Sequence, residues 1–220
     1  MAAPPQVEVT VLRVFCADDG SHGNPLGVVL DGPSVAEDDR QALATHLGYS
    51  ETVFVDDAAE GRIRIFTPEV ELPFAGHPCV GTAWLLRREG HEVDALRAPA
   101  GKIPVRFDGE RPFIAGRPEW APPFELRRAD SPEDVEGHPI VTDAEVYLWA
   151  WIDERVGTIR ARAFVPEVGV EEDEATGSAA VKLSGALERE IEIHQGVGSR
   201  LHARPIGEGM VEVGGRVVEA

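Results

Sequence analysis

The sequence is poor in cysteine, in lysine and in long apolar runs, and each scarcity removes a class of protein. Cys16 and Cys79 are the only cysteines in 220 residues, too few and too far apart for a disulfide framework or a zinc set. Cys79 reads as a small buried residue. Lys102 and Lys182 are the only lysines, and nothing near either specifies a Schiff base. No stretch approaches the roughly 18 uninterrupted apolar residues of a membrane span. The opening "MAAPPQVEVTVLRVF" has no basic segment followed by an apolar one, so a cytoplasmic location is the expectation. Positive charge is scarce as well: the net charge is −18 and the isoelectric point 4.7, which argues against nucleic acid as a partner. The same field repels an anionic small molecule unless a local positive site is built for it, and helix-start amides are the natural source of one. G-x-S-x-G, H-E-x-x-H, the P-loop and G-x-G-x-x-G after a strand are all missing, which favours a cofactor-free reaction over a nucleotide or pyridoxal one.

What is present is an ordinary globular composition, 43% hydrophobic and 27% charged, enough for one large domain or two of about 100 residues. Val7–Cys16 and Gly23–Leu30 read as strands joined by hairpin punctuation at Asn24-Pro25. Residues 34–50 read as a helix with Ser34 as N-cap, Glu37 three residues later, Gly48 as the stop, and an apolar face of Ala42, Leu43 and Leu47. Thr52–Val55 and Arg62–Thr67 are strands, and Pro78–Arg88 is a helix apolar on more than one face, hence wrapped by other elements. Gly101–Gly109 closes a first half. Arg117–Glu145, rich in Pro, Asp and Glu, reads as linker or irregular cover. Strands resume at Ala144–Ile152 and Gly157–Val165, a helix of small apolar residues follows Thr176-Gly177-Ser178, and the tail reads as terminal strands.

The two glycine junctions overlay. With Gly76 on Gly177, Glu71 falls on Glu172 and His77 on Ser178, and both continue from strand to acidic turn, glycine and buried helix. This predicts two related α+β halves, residues 1–108 and 109–220, each a sheet around a central helix. Two helix N-termini facing one cleft offer converging amides and partial positive charge, suited to a carboxylate or to charge developing on oxygen. Gly76 and Gly177 would let a ligand oxygen reach those amides; they would equally serve turn dihedrals. A base must also take up and return a proton. Glu51, at the start of a strand, is one candidate among 39 acidic residues, for any of which solvated surface is the default. His77 is a proton carrier with a pKa near neutrality or a helix cap, Asp173 a histidine- or amine-orienting acceptor or a dipole-stabilised helix start, and Ser178 a ligand contact or a cap.

The ordered set "GNPLGVV", "YSETVFV", "IFTPEVELPFAGHPCVGTA", "EDEATGSAA", "HQGVGS" and "VEVGGRVV" resembles the phenazine-biosynthesis isomerase family, PhzF-like, across nearly the whole chain. The resemblance implies a diaminopimelate-epimerase-like α+β fold with pseudo-twofold halves, each a curved sheet around one helix, and a site in the cleft between them. It implies Glu51 as proton shuttle, His77 and Asp173 as its catalytic partners, and Gly76, Gly177, Ser178 and Asn24 in substrate binding. It also implies no cofactor or metal, a small carboxylated substrate and a homodimer. Related epimerases use two cysteines as acid and base; Gly76 and a serine junction stand there instead, which disfavours that chemistry. The chain is shorter than the family pattern around Arg117–Glu145. The leading reading is a cofactor-independent isomerase. A catalytically idle binding protein keeping the cleft, and a metal-assisted hydrolase using His77, Asp173 and Glu51, are the alternatives.

Overall fold

The computed structural model describes residues 7–220. The first run of elements is β1 (Thr10–Cys16), β2 (Asn24–Val29), α1 (Glu37–Leu47), β3 (Glu51–Asp57), β4 (Arg62–Phe66), β5 (Glu71–Leu72), α2 (Gly76–Arg88), β6 (Ala95–Ala98) and β7 (Gly101–Asp108). The second is β8 (Arg111–Gly116), β9 (Glu125–Arg128), α3 (Pro132–Glu136), β10 (Val146–Asp153), β11 (Thr158–Val165), β12 (Val170–Asp173), α4 (Gly177–Leu187), β13 (Ile191–Gln195) and β14 (Ser199–Gly207), closed by β15 (Met210–Gly214) and β16 (Arg216–Glu219).

Strand pairing repeats between the runs. β2 lies parallel to β3, β3 antiparallel to β4, and β4 antiparallel to β5 and parallel to β6, which turns back into β7. β9, β10, β11, β12, β13 and β14 follow the same scheme in the same order. Side chains repeat with it. Arg64 holds Glu71 through both of its oxygens and lies over Phe66; Arg162 holds Glu172 at 2.7 Å and lies over Phe164. One hydrogen-bonded path, β16-β1-β2-β3-β4-β6-β7-β8-β15-β14-β13-β11-β10-β9, joins the halves, and the C-terminal strand returns to the first. This is the sheet-rich α+β architecture of paired halves that the junction overlay implies.

α2 and α4 are apolar around most of their circumference because sheet surrounds them. Cys79, Val80, Ala83 and Leu86 of α2 and Ala179, Ala180 and Val181 of α4 are fully buried in the main core. α1 and α3 cover the outer faces of the two sheets, over Val29, Phe54 and Phe66 and over Val146, Leu148, Ala150 and Phe164.

Three local expectations change. Ser34 does not cap α1; it sits in a single 3-10 turn with its hydroxyl donating to the Asp31 carbonyl at 2.6 Å. α1 starts two residues later than such a cap would place it, and Glu37, Asp38 and Asp39 face its positive end instead. Ala42 is exposed, and Arg40 takes the buried position, its guanidinium 2.7 Å from Asp56 and stacked over Phe54. Arg117–Glu145 is more than irregular cover: it contains β9, paired with β10, and α3, whose N-cap Ser131 accepts from the Asp134 amide at 3.2 Å. Gly48 ends α1 in the left-handed conformation, φ 70°, as expected.

Candidate active site

The fold brings the ends of β2, β3 and β12 to the place where the N-termini of α2 and α4 meet. β2 and β3 are parallel, with Leu26 beside Glu51, so Asn24 and Glu51 lie at one end of the first sheet. Asp173 ends β12 and Gly177 opens α4 after a short turn; Gly76 and His77 open α2 after the matching turn. The glycines are required for this meeting: a Cβ on Gly76 would lie 2.5 Å from the Gly177 carbonyl carbon, and one on Gly177 would lie 2.9 Å from the Gly76 Cα. The missing side chains thus first let two helix starts abut, and the amides of both then share one small volume.

Asn24 is the polar hub. Its Nδ2 donates to Asp173 Oδ1 at 2.6 Å and to the Ala175 carbonyl at 3.1 Å, and lies 3.4 Å from His77 Nδ1, while its Oδ1 accepts from Ser50 Oγ at 3.1 Å. Asp173 Oδ2 accepts from Thr176 Oγ1 at 2.7 Å. Glu51 Oε2 is 3.4 Å from His77 Nδ1. Ser178 is buried beside them as the second residue of α4. Six predicted positions, Asn24, Glu51, His77, Asp173, Gly76 and Gly177, therefore converge from both halves.

Burial sets the protonation states. It pushes the Glu51 carboxyl up from 4.5 to about 7, with the Ser50 hydroxyl opposing. It pushes His77 down from 6.5 to about 4, with the Asp173 charge and the Pro25 backbone working the other way. Asp173 rises to about 6 through burial and then the Glu51 charge, against His77, Thr176 and Asn24. Near neutrality His77 is a neutral imidazole, and its contact with Glu51 is not an ion pair. Glu51 Oε2 and His77 Nε2 are both buried and lack a hydrogen-bond partner of ordinary geometry. Leaving such groups unmade costs about 1–3 kcal/mol each. The Cys79 thiol, inside α2, is pushed up to about 12 by burial and supplies no thiolate. Among the described residues no group of three or more His, Cys, Asp and Glu side chains is arranged to hold a metal ion, and no helix is long and apolar enough to cross a membrane.

Residues 12–134 match the sequence model of the PhzC-PhzF family, described as phenazine biosynthesis-like protein. The chain belongs to this family. A trans-2,3-dihydro-3-hydroxyanthranilate isomerase of Pseudomonas aeruginosa is 33% identical over 259 aligned positions, covering 90% of this chain and 92% of that one. An isomerase of the same description from Pseudomonas chlororaphis is 31% identical, over 80% of this chain and 81% of its own. Among solved structures, a predicted epimerase from Pseudomonas aeruginosa superposes with a TM-score of 0.79 at 25% identity, over 98% and 97% of the two chains. A hydroxyproline epimerase from Agrobacterium vitis, at a TM-score of 0.60 and 9% identity over 96% and 90% of the chains, shares the fold. This PhzC-PhzF chain is an isomerase.

Sequence reasoning missed Thr176 as a partner of Asp173, and missed Gln195 and Tyr147. Gln195 lies within the "HQGVGS" stretch that carries the resemblance, but its contacts depend on three strands meeting. Tyr147 sits in an apolar strand and gives no local signal.

Proposed function

We propose that this PhzC-PhzF isomerase moves a proton within a small carboxylated substrate without a cofactor, Glu51 being the shuttle in the cleft between the halves. The carboxylate of Glu51 takes a proton from a carbon next to an acidifying group, and the C–H electron pair moves into the conjugated system. The Glu51 carboxylic acid, whose O–H exchanges with solvent while it carries the proton, then protonates another carbon, so one proton leaves carbon, one returns, and no electron or atom is gained or lost overall. Main-chain N–H groups at the starts of α2 and α4, with their dipoles, hold the oxygen on which negative charge grows. Neutral His77 donates or accepts a hydrogen bond without adding charge, and Asp173 accepts from a substrate amine or hydroxyl. Asn24 fixes Asp173 beside His77, and Ser178 lines the same helix start.

The observation that carries this reading is the buried, unpartnered Glu51 Oε2 beside neutral His77, on a carboxyl whose pKa of about 7 suits taking and returning a proton near neutrality. The relatives' names support a hydroxylated, unsaturated ring acid as substrate. The test is incubation with a panel of amino and hydroxy carboxylic acids, trans-2,3-dihydro-3-hydroxyanthranilate among them, in heavy water, with deuterium uptake read by mass spectrometry. On the acid that exchanges, Glu51→Gln lowers the rate about 10²–10⁴-fold. Unchanged turnover in that variant removes Glu51 from the reaction. Tight binding with no deuterium ever entering favours an idle cleft.

A further inference from the structure

Asp173 is held by a chain of hydrogen bonds whose direction is fixed by the backbone. Gln195, at the end of β13 and 0% exposed, donates from Nε2 to the Asp173 carbonyl at 2.9 Å and to Thr176 Oγ1 at 2.8 Å. Its Oε1 accepts from the Thr176 amide at 3.2 Å and from the Tyr147 hydroxyl at 3.1 Å. The amide cannot be turned over: that would set oxygen against the Asp173 carbonyl and nitrogen against the Thr176 N–H. Thr176 Oγ1 must therefore accept from Gln195, and its single proton has one place left to go, Asp173 Oδ2 at 2.7 Å. Asn24 Nδ2 supplies the other carboxylate oxygen.

We infer that Thr176 and Gln195 are positioning residues that make Asp173 a standing hydrogen-bond acceptor, so that the substrate group it meets is an N–H or O–H donor. Two fixed donors, one per oxygen, favour the charged form of a carboxylate that burial and neighbouring charge disfavour. The charged or titratable groups facing Asp173 are Glu51 from β3 and His77 from α2, and Tyr147 of β10 also feels its charge. Of these only His77 can become cationic, and its imidazole stays neutral near pH 7, so the hydroxyl and amide donors do the work. The catalytic use of Asp173 rests on the function proposed above; the relay does not.

The experiment is a carbon-13 NMR titration of the Asp173 carboxyl in full-length protein with labelled aspartate, the signal being assigned with Asp173→Asn. Thr176→Val, nearly isosteric, moves the titration upward by about 1–2 pH units, the loss of one hydrogen bond to a charged group. Thr176→Ser keeps the hydroxyl and leaves the titration where the wild type has it. Gln195→Met, which frees the Thr176 hydroxyl to turn away, moves it in the same direction as Thr176→Val. An unmoved titration in folded Thr176→Val, or Thr176→Ser shifting as far as Thr176→Val, overturns the relay. If Thr176→Val does not fold, an unmoved Gln195→Met overturns it in the same way. The pH–rate profile is read in parallel: a titration that moves while the profile does not upholds the relay and rejects the role of Asp173 in turnover.

Discussion

Replacing Glu51 by Gln should stabilise the protein, and more so the higher the pH. In the folded chain the carboxyl titrates near 7, against an ordinary 4.5. Between those values the native state keeps a proton that the unfolded chain has released, so stability falls as pH rises, by about 1.4 kcal/mol per unit. The penalty is absent below about 4.5 and complete above about 7, where it amounts to about 3 kcal/mol. Gln keeps the shape and has nothing to titrate. Asp173 adds to the effect in the same direction, because the Glu51 charge is one cause of its raised pKa. His77 has the opposite dependence, since its depressed pKa makes stability fall as pH drops from 6.5 toward about 4; it is present in both proteins and cancels in the difference. Urea denaturation of wild type and Glu51→Gln at about pH 5 and about pH 8 should show the variant's advantage growing by roughly 2–3 kcal/mol between the two. An advantage that does not change with pH would mean that Glu51 is not held in a dry site, and the argument for its basicity would fall with it.

Three further outcomes follow from the same geometry. The rate with the exchanging substrate should rise about tenfold per pH unit as pH climbs toward 7 and then level off as Glu51 ionises; a profile of kcat/KM flat from about pH 5 to about pH 8 contradicts this. Gly177→Ala places a Cβ 2.9 Å from the backbone of Gly76, so thermal melting should show a loss of about 1–3 kcal/mol or more, and an unchanged Tm would show that the helix starts do not abut. Cys79→Ala should keep kcat, and native Cys79, with its thiol pushed up to about 12, should resist iodoacetamide near pH 8; a variant with lost turnover would return thiol chemistry to consideration.

The parts of the fold that the sequence reveals are those whose physics is local. α2 and α4 announce themselves as buried because apolar residues cover more than one face, and Gly48 ends α1 as such glycines do. α1 begins without a side-chain cap, so a rule that looks for one picks Ser34, and its buried face includes Arg40, whose charge disguises it as surface. α3 is a single turn and β9 carries Glu125, Arg127 and Arg128 on an edge, so neither offers a period long enough to detect. The overlay of Glu71 on Glu172 identifies a true correspondence, since each carboxylate is gripped by the arginine of the preceding strand. It is faint in sequence because insertions between strands change the spacing and few residues besides Arg64/Arg162 and Phe66/Phe164 are kept.

The site shows why the internal likeness had to fade where it matters. Counting back from the two glycines, Leu72 stands where Asp173 stands in the other half, Ala75 where Thr176 stands, and His77 where Ser178 stands. A symmetric arrangement would put a further aspartate at position 72 into a volume where the Glu51 charge already raises the pKa of Asp173, and each added like charge in a dry volume raises the cost of the others. Instead Asn24, Glu51 and His77 come from the first half, Asp173, Thr176 and Gln195 from the second, and the hydrogen bond from Asn24 to Asp173 ties the sets together. Neither half holds the whole polar cluster, and the apolar core that keeps Glu51 and His77 dry is one cluster drawn from both halves around α2 and α4. Local reading found the residues beside the glycines, because turns and helix starts are local. The relay through Gln195 and Tyr147 exists only once β10, β12 and β13 are in place, which is why no spacing in the chain points to it.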